Sequence, residues 1–139
     1  MHEIDERGHS AATPERVFAL LADGRTWPEW GGFDSVEVTG GPGVGEERVF
    51  HTGRVRNHER VVEFEPPRAF GYVSLSGLPI RDYRATVTLT DGDGGGTDIR
   101  WHSRFRGRYG LGRLVQRRLG AFIRETVEAL AREAERRGA

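Results

Sequence analysis

The stretch from Gly107 to Gly138 constrains the fold more than any other part of the chain. Its apolar residues recur three and four apart, the period of a helix. Winding it at about 100° per residue gathers Leu111, Val115, Leu119, Phe122, Thr126, Val127, Leu130 and Ala134 on one side. Arg113, Arg117, Arg124, Glu128 and Glu135 fall on the other. The spacing predicts a long amphipathic helix with one buried face. Nearly everything between it and the first thirty residues reads as strand. A long one-faced helix at the end of a strand-rich chain needs a sheet to lie on, and the sheet needs a helix over its apolar side.

The rest of the chain supplies that sheet. Residues 2–11 suit a first strand. Thr13 can cap a helix that Pro14 opens, with Val17, Phe18, Leu20 and Leu21 as its buried face and Gly24 as its end. Trp27-Pro28 starts a second short helix or turn. Strands are expected at 35–39, 46–52, 54–64 and 69–76, with breaks at the glycine-rich 40–45, at Gly53 and at Pro66-Pro67. Tyr83, Ala85, Val87 and Leu89 alternate with polar partners. So do Ile99, Trp101, Ser103 and Phe105 after the Asp91–Gly96 loop. Such strands are dry on one face and wet on the other. The order is strand, two short helices, six strands, long helix: an α+β fold, expected as a single domain over residues 1–139.

Composition narrows the chemistry. The chain has no cysteine, which excludes disulfides, thiolate zinc sites and a cysteine nucleophile. All 21 basic residues are arginine, so a Schiff-base or P-loop lysine is excluded too. Acidic residues also number 21, and this balance argues against a nucleic-acid binder. His2, His9, His51, His58 and His102 are scattered without metal-ligand spacing, so neither a metal nor a cofactor is expected. The glycines of 40–45 lack dinucleotide-loop spacing, and no nucleophile elbow occurs. No signal peptide or membrane-spanning run is read, which gives the expectation of a cytoplasmic protein without stable membrane insertion.

Several groups carry a functional reading beside a structural one. Trp27, Trp30 and Phe33 either plug one end of the domain or border a site; the two tryptophans are expected near its mouth. Tyr83, Trp101, Phe105 and Phe122 face inward if the helix covers the sheet, and Phe50 and Tyr72 join them from neighbouring strands. They form either a close-packed core or the wall of a pocket. The hydroxyls of Tyr72, Tyr83 and Ser103 then meet backbone in the one case and ligand or water in the other. In strand 54–64, the Val55, Asn57, Glu59 and Val61 face competes with the His58 face, which continues into Val62 and Phe64. A bulge near Val61 reconciles the two. An inward Glu59 has a raised pKa and acid–base capacity; the alternative is a cross-strand salt bridge to an arginine. The cluster Arg104, Arg106, Arg108, Arg113, Arg117 and Arg118 either meets acidic headgroups or RNA, or is a solvated face. Arg118, at the edge of the apolar arc, either snorkels or places a guanidinium at the cavity wall.

Element order, Pro14, Trp27-Pro28-x-Trp30, Pro66-Pro67, the glycine-rich loop before Thr97–Trp101 and the long terminal helix together resemble one family over nearly the whole length. It is the polyketide cyclase/dehydrase-like (SRPBCC) branch of the START/Bet v 1-like superfamily. That resemblance implies a helix-grip fold: a seven-stranded antiparallel sheet wrapped around the C-terminal helix, with two short helices after strand 1. It also implies a cavity for lipids, polyketides or other apolar molecules. No universal catalytic motif comes with it, so the fold supplies no activity. The expected site residues are Trp27, Trp30, Phe50, Glu59, Tyr72, Tyr83, Trp101, Phe105, Arg118 and Phe122. The expected partner is a hydrophobic small molecule bound by a monomer or homodimer. A cyclase, aromatase or dehydratase and an arginine-rich interaction module are the alternatives.

Overall fold

The computed structural model describes residues 1–137. The elements are β1 (His2–Ser10), α1 (Pro14–Ala22), a 3₁₀ turn at Gly24–Thr26, α2 (Trp27–Trp30), β2 (Ser35–Thr39), β3 (Glu47–Thr52), β4 (Val55–Glu65), β5 (Ala69–Ser76), β6 (Ile80–Asp91), β7 (Thr97–Gly107) and α3 (Gly112–Arg137). All seven strands form one antiparallel sheet in the order β1-β7-β6-β5-β4-β3-β2. The helix-grip expectation is met: the sheet presents its apolar face to α3.

Alternation sets which side chains look inward. In β6 Tyr83, Ala85, Val87 and Leu89 are buried, and in β7 Ile99, Trp101, Ser103 and Phe105 are buried. β4 turns Glu59 and Val61 inward, and its register with β5 shifts between Val61 and Glu63, where a bulge was expected. A second shift lies between His58 and Glu59.

Thr13 caps α1 through its side chain, with Pro14 in the first turn. The helix ends at Ala22 rather than at Gly24, because Asp23 takes over as side-chain cap of the 3₁₀ turn. α3 begins at Gly112, five residues into the stretch that opens at Gly107, and leaves Leu111, the first residue of the apolar period, outside the helix. Gly107 closes β7, and Tyr109 and Gly110 adopt positive φ in the connection. Gly138, the expected helix end, lies outside the described residues.

α3 is clamped closely to the sheet edge. A Cβ on Gly8 of β1 would stand 2.6 Å from Val127 Cγ1, so only glycine lets the strand approach here. Ser10 Oγ donates to the Ala131 carbonyl (2.8 Å), and Gln116 Nε2 donates to the Glu3 carbonyl (2.7 Å). At the far end Glu133 pairs with Arg136 and Arg137, and Arg137 reaches Glu29 of α2.

Candidate functional site: a chamber between sheet and terminal helix

The sheet and α3 do not close completely on each other. Between them lies a cavity of about 200 Å³. Phe50, Asn57, Glu59, Tyr72, Tyr83 and Trp101 contribute from five adjacent strands. Leu119, Phe122, Ile123 and Thr126 contribute from α3, and Trp27 and Phe33 from the segment after α1. Thr52, Val55 and Leu78, on the β3–β4 and β5–β6 turns, border its outer end. The walls are mainly aromatic and aliphatic, with a few placed polar groups, the usual make-up of a small-molecule site.

Two polar groups stand out. Glu59 is buried, and its Oε2 accepts a hydrogen bond from Asn57 Nδ2 at 2.7 Å; Asn57 Oδ1 in turn accepts from Ser74 Oγ at 2.7 Å. The other carboxyl oxygen, Oε1, has no hydrogen-bond partner among the described residues and is not sealed from the cavity space. Loss of hydration pushes the Glu59 pKa up to about 8, against the opposing pull of the Arg48 charge and the Asn57 hydrogen bond. At neutral pH the group is therefore largely a neutral carboxylic acid, able to donate a hydrogen bond from Oε1.

The second group is a hydroxyl chain. Trp101 Nε1 donates to Tyr72 Oη (3.3 Å), Tyr72 Oη lies 3.4 Å from Tyr83 Oη, and Tyr83 Oη lies 3.0 Å from Ser103 Oγ. Burial raises both phenols. Tyr83 is pushed up to about 12, and Tyr72 rises well above its ordinary value, aided by the Tyr83 and Glu59 charges. Both remain neutral donors. Among the described residues no three His, Asp or Glu side chains gather as a metal-binding cluster.

Of the ten expected site residues, seven border the cavity: Trp27, Phe50, Glu59, Tyr72, Tyr83, Trp101 and Phe122. Three do not. Arg118 is exposed and absent from the wall, because the helix starts after Leu111 and the apolar arc that Arg118 was to flank begins further along. Phe105 is sealed in the core and stacks on His2 at 5.3 Å, beyond Tyr83. Trp30 donates its indole N–H to Thr26 Oγ1 and borders a separate shallow groove with Phe122 and Arg132. Trp27 is not at the mouth: it is fully buried, with ring neighbours Phe33, Phe50, Tyr72 and Trp101. Phe122, expected to be buried, is half-buried and meets Phe33 edge-on at 5.4 Å.

Sequence reasoning missed Arg48 and Glu46. Arg48 is buried, with Nε 2.6 Å from Glu46 Oε1 and its terminal nitrogens donating to the Leu21 and Ala22 carbonyls at 3.0 and 2.9 Å. It thus supplies the cation that the last turn of α1 lacks. Its signal was present: β3 alternation puts Arg48 on the same side as Phe50.

A curved antiparallel sheet gripping a terminal helix around an apolar chamber defines the helix-grip class. The chain belongs to the family described as polyketide cyclase/dehydrase and lipid transport, whose model matches residues 1–135. Comparison with curated protein sequences finds no match. Among solved structures it is similar to XoxI from Bacillus cereus, at 17% identity and TM-score 0.84 over 96% of this chain and 95% of that one. A norcoclaurine synthase point mutant from Thalictrum flavum, in complex with a transition-state analogue, aligns at 12% identity and TM-score 0.82 over 99% and 96%. Ara h 8.0201 aligns at 17% identity and TM-score 0.79 over 96% and 97%. At these identities the likeness concerns the fold alone.

Proposed function

We propose that the protein binds a compact apolar or aromatic small molecule between sheet and α3, and that it holds the molecule by a single oxygen function. The observation that carries this reading is Glu59, whose Oε1 has no partner among the described residues, in the wall of a mainly apolar chamber. A neutral carboxyl there donates to a carbonyl, phenol or enol oxygen, and the Tyr72 and Tyr83 hydroxyls stand along the same wall. The volume favours a molecule of one or two rings, since a cavity of about 150 Å³ takes up benzene. Titration with naphthalene and 2-naphthol, followed by calorimetry, tests the reading. Naphthol should bind about tenfold more tightly, the worth of a hydrogen bond of about 1.4 kcal/mol, and Glu59→Leu should erase the difference. Absence of binding by either compound would refute the reading.

The second reading is an enzyme of the cyclase, aromatase or dehydratase type. What favours it is a carboxyl with a pKa near 8 beside two tyrosine hydroxyls. A protonated carboxyl and a tyrosine in an apolar site can together stabilise a developing enolate oxygen. The norcoclaurine synthase likeness indicates that this architecture admits catalysis. Turnover of a poly-β-ketone analogue that survives binding-neutral controls but is lost in Glu59→Gln would select this reading over simple carriage.

A further inference from the structure

The outer end of the cavity coincides with one end of the sheet. Antiparallel order brings the β3–β4 turn, the β5–β6 turn, the β7–α3 connection and the start of β1 together there. Among the described residues seven large apolar side chains are exposed, and six of them, Met1, Val55, Leu75, Tyr109, Leu111 and Leu114, belong to this end; Val44 alone belongs to the opposite one. Tyr109 is 83% exposed. Exposed apolar residues scattered over a surface need no explanation, but their collection at one rim does.

The same rim is cationic. Arg54, Arg56, Arg81, Arg108, Arg113 and Arg117 are all exposed on these turns and on the first two turns of α3. The acids nearby are fewer: Asp34 accepts from the Gly53 amide, Asp82 lies 3.6 Å from Arg106, and Glu3 lies 3.7 Å from His102. Formal net charge is zero over the whole chain, so this positive end is balanced elsewhere. Glu65, Asp91, Asp93 and Asp98 stand at the opposite end, where Arg68 pairs with Asp91 at 3.0 Å and His9 lies 2.9 Å from Asp98.

We propose that this rim docks on an anionic lipid bilayer, with Tyr109, Leu111 and Leu114 entering the headgroup region beside the Val55 and Leu75 tips. The apolar chains project from turns and a helix start, with arginines between them. A protein partner would want a continuous apolar centre with charges pushed to the edge. Single-stranded RNA would want stacked aromatics, and Tyr109 is the one aromatic exposed here. Tyrosine suits the membrane interface, and guanidinium groups bond phosphate in a bidentate manner. Docking stands independently of the ligand reading; only direct transfer of a bilayer solute through the Val55–Leu78 opening rests on it.

Vesicle flotation tests the proposal, using phosphatidylcholine with and without phosphatidylglycerol. The wild-type chain should float with the anionic vesicles only, and should be released by high salt. Arg108→Glu combined with Arg113→Glu should weaken partition at least about tenfold, given about 1 kcal/mol for each arginine near an anionic surface. Leu111→Ser combined with Leu114→Ser should weaken it as well, while naphthol titration and circular dichroism stay unchanged. Arg16→Glu changes charge at the far end and should leave partition intact. The proposal is overturned if no vesicles bind, or if Arg16→Glu weakens binding as much as the rim variants do. It is equally overturned if the rim proves to be a dimer face, with a dimer in gel filtration that Leu111→Ser/Leu114→Ser converts to monomer.

Discussion

Arg48 and Glu59 are direct cross-strand partners in the β3–β4 register, both turned inward, yet they do not pair with each other. The Arg48 guanidinium is drawn away to Glu46 and to the last carbonyls of α1, and it lies over the Trp27 and Phe70 rings at 5.4 and 5.0 Å. Glu59 keeps only the Asn57 amide. The arginine that stands across the strand from the carboxyl thus anchors a helix instead of neutralising it, and Glu59 borders the chamber as an acid.

This arrangement has a pH signature. The folded-state pKa of Glu59 is raised from 4.5 to about 8. Below the lower value both folded and unfolded chains hold the proton, and the group costs nothing. As pH rises from about 4.5 to about 8 the unfolded chain releases a proton that the folded chain retains, so stability falls. The loss is on the order of a few kcal/mol. Urea unfolding of Glu59→Gln against wild type should show the variant gaining steadily across this window, with no further gain above it. Parallel stability–pH curves would show that the carboxyl is ionised in the folded chamber.

Arg48→Met should destabilise the fold by about 3–5 kcal/mol, since it strands the buried Glu46 carboxylate and two helix carbonyls. Removing both charges, as Arg48→Met with Glu46→Leu, should recover part of that loss. A double-mutant cycle by chemical denaturation reads the coupling directly. A single-variant cost below about 1 kcal/mol would mean that solvent reaches this pair.

The two tyrosines should differ. Tyr72 Oη accepts the Trp101 indole N–H, so Tyr72→Phe leaves a buried donor unpaired and should cost about 1–3 kcal/mol. Tyr83→Phe deprives Ser103 Oγ of its tyrosine partner, and Tyr83→Phe with Ser103→Ala, which removes both ends of that bond, should be nearly neutral relative to it. Thermal unfolding would reveal equal costs for the two single variants if the hydroxyl chain carries no direction.

Much of this was legible in the chain. The alternation of β6 and β7 fixed their inward faces, Thr13-Pro14 marked the start of α1, and the conflict of faces around Val61 pointed to the bulge. Arg118 was misplaced for a definite reason. The wheel was drawn through Leu111, but Gly110 and Leu111 lie in a turn before the helix, and without Leu111 the arc no longer extends toward Arg118. Nothing in the period of Trp101 or Phe105 separates a residue that walls a hollow from one sealed behind it. That distinction depends on how far α3 stands from the sheet, which is set by close approaches such as Gly8 against Val127 at the other edge.

Intrinsic fluorescence should report on the chamber through two of the three tryptophans. Trp101 and Trp27 both border the cavity, with ring centroids 5.8 Å apart and their planes inclined at 69° in an edge contact. Trp30 is also buried, but it lies on the far side of Trp27, hydrogen-bonded to Thr26 and bordering the outer groove. An aromatic ligand packed against the first pair gains about 0.5–1.5 kcal/mol beyond burial and displaces the local field around both indoles. Adding 2-naphthol, with the naphthol's own emission subtracted by a protein-free blank, should therefore shift tryptophan emission in the wild type and in Trp30→Phe alike. Trp101→Phe should remove much of the change, and Trp27→Phe a comparable share. Iodide should leave all three tryptophans largely unquenched before the ligand is added, because none is more than 9% exposed. If the response survives Trp101→Phe and Trp27→Phe but disappears in Trp30→Phe, the ligand occupies the groove beside Phe122 and Arg132, and the chamber is not the site.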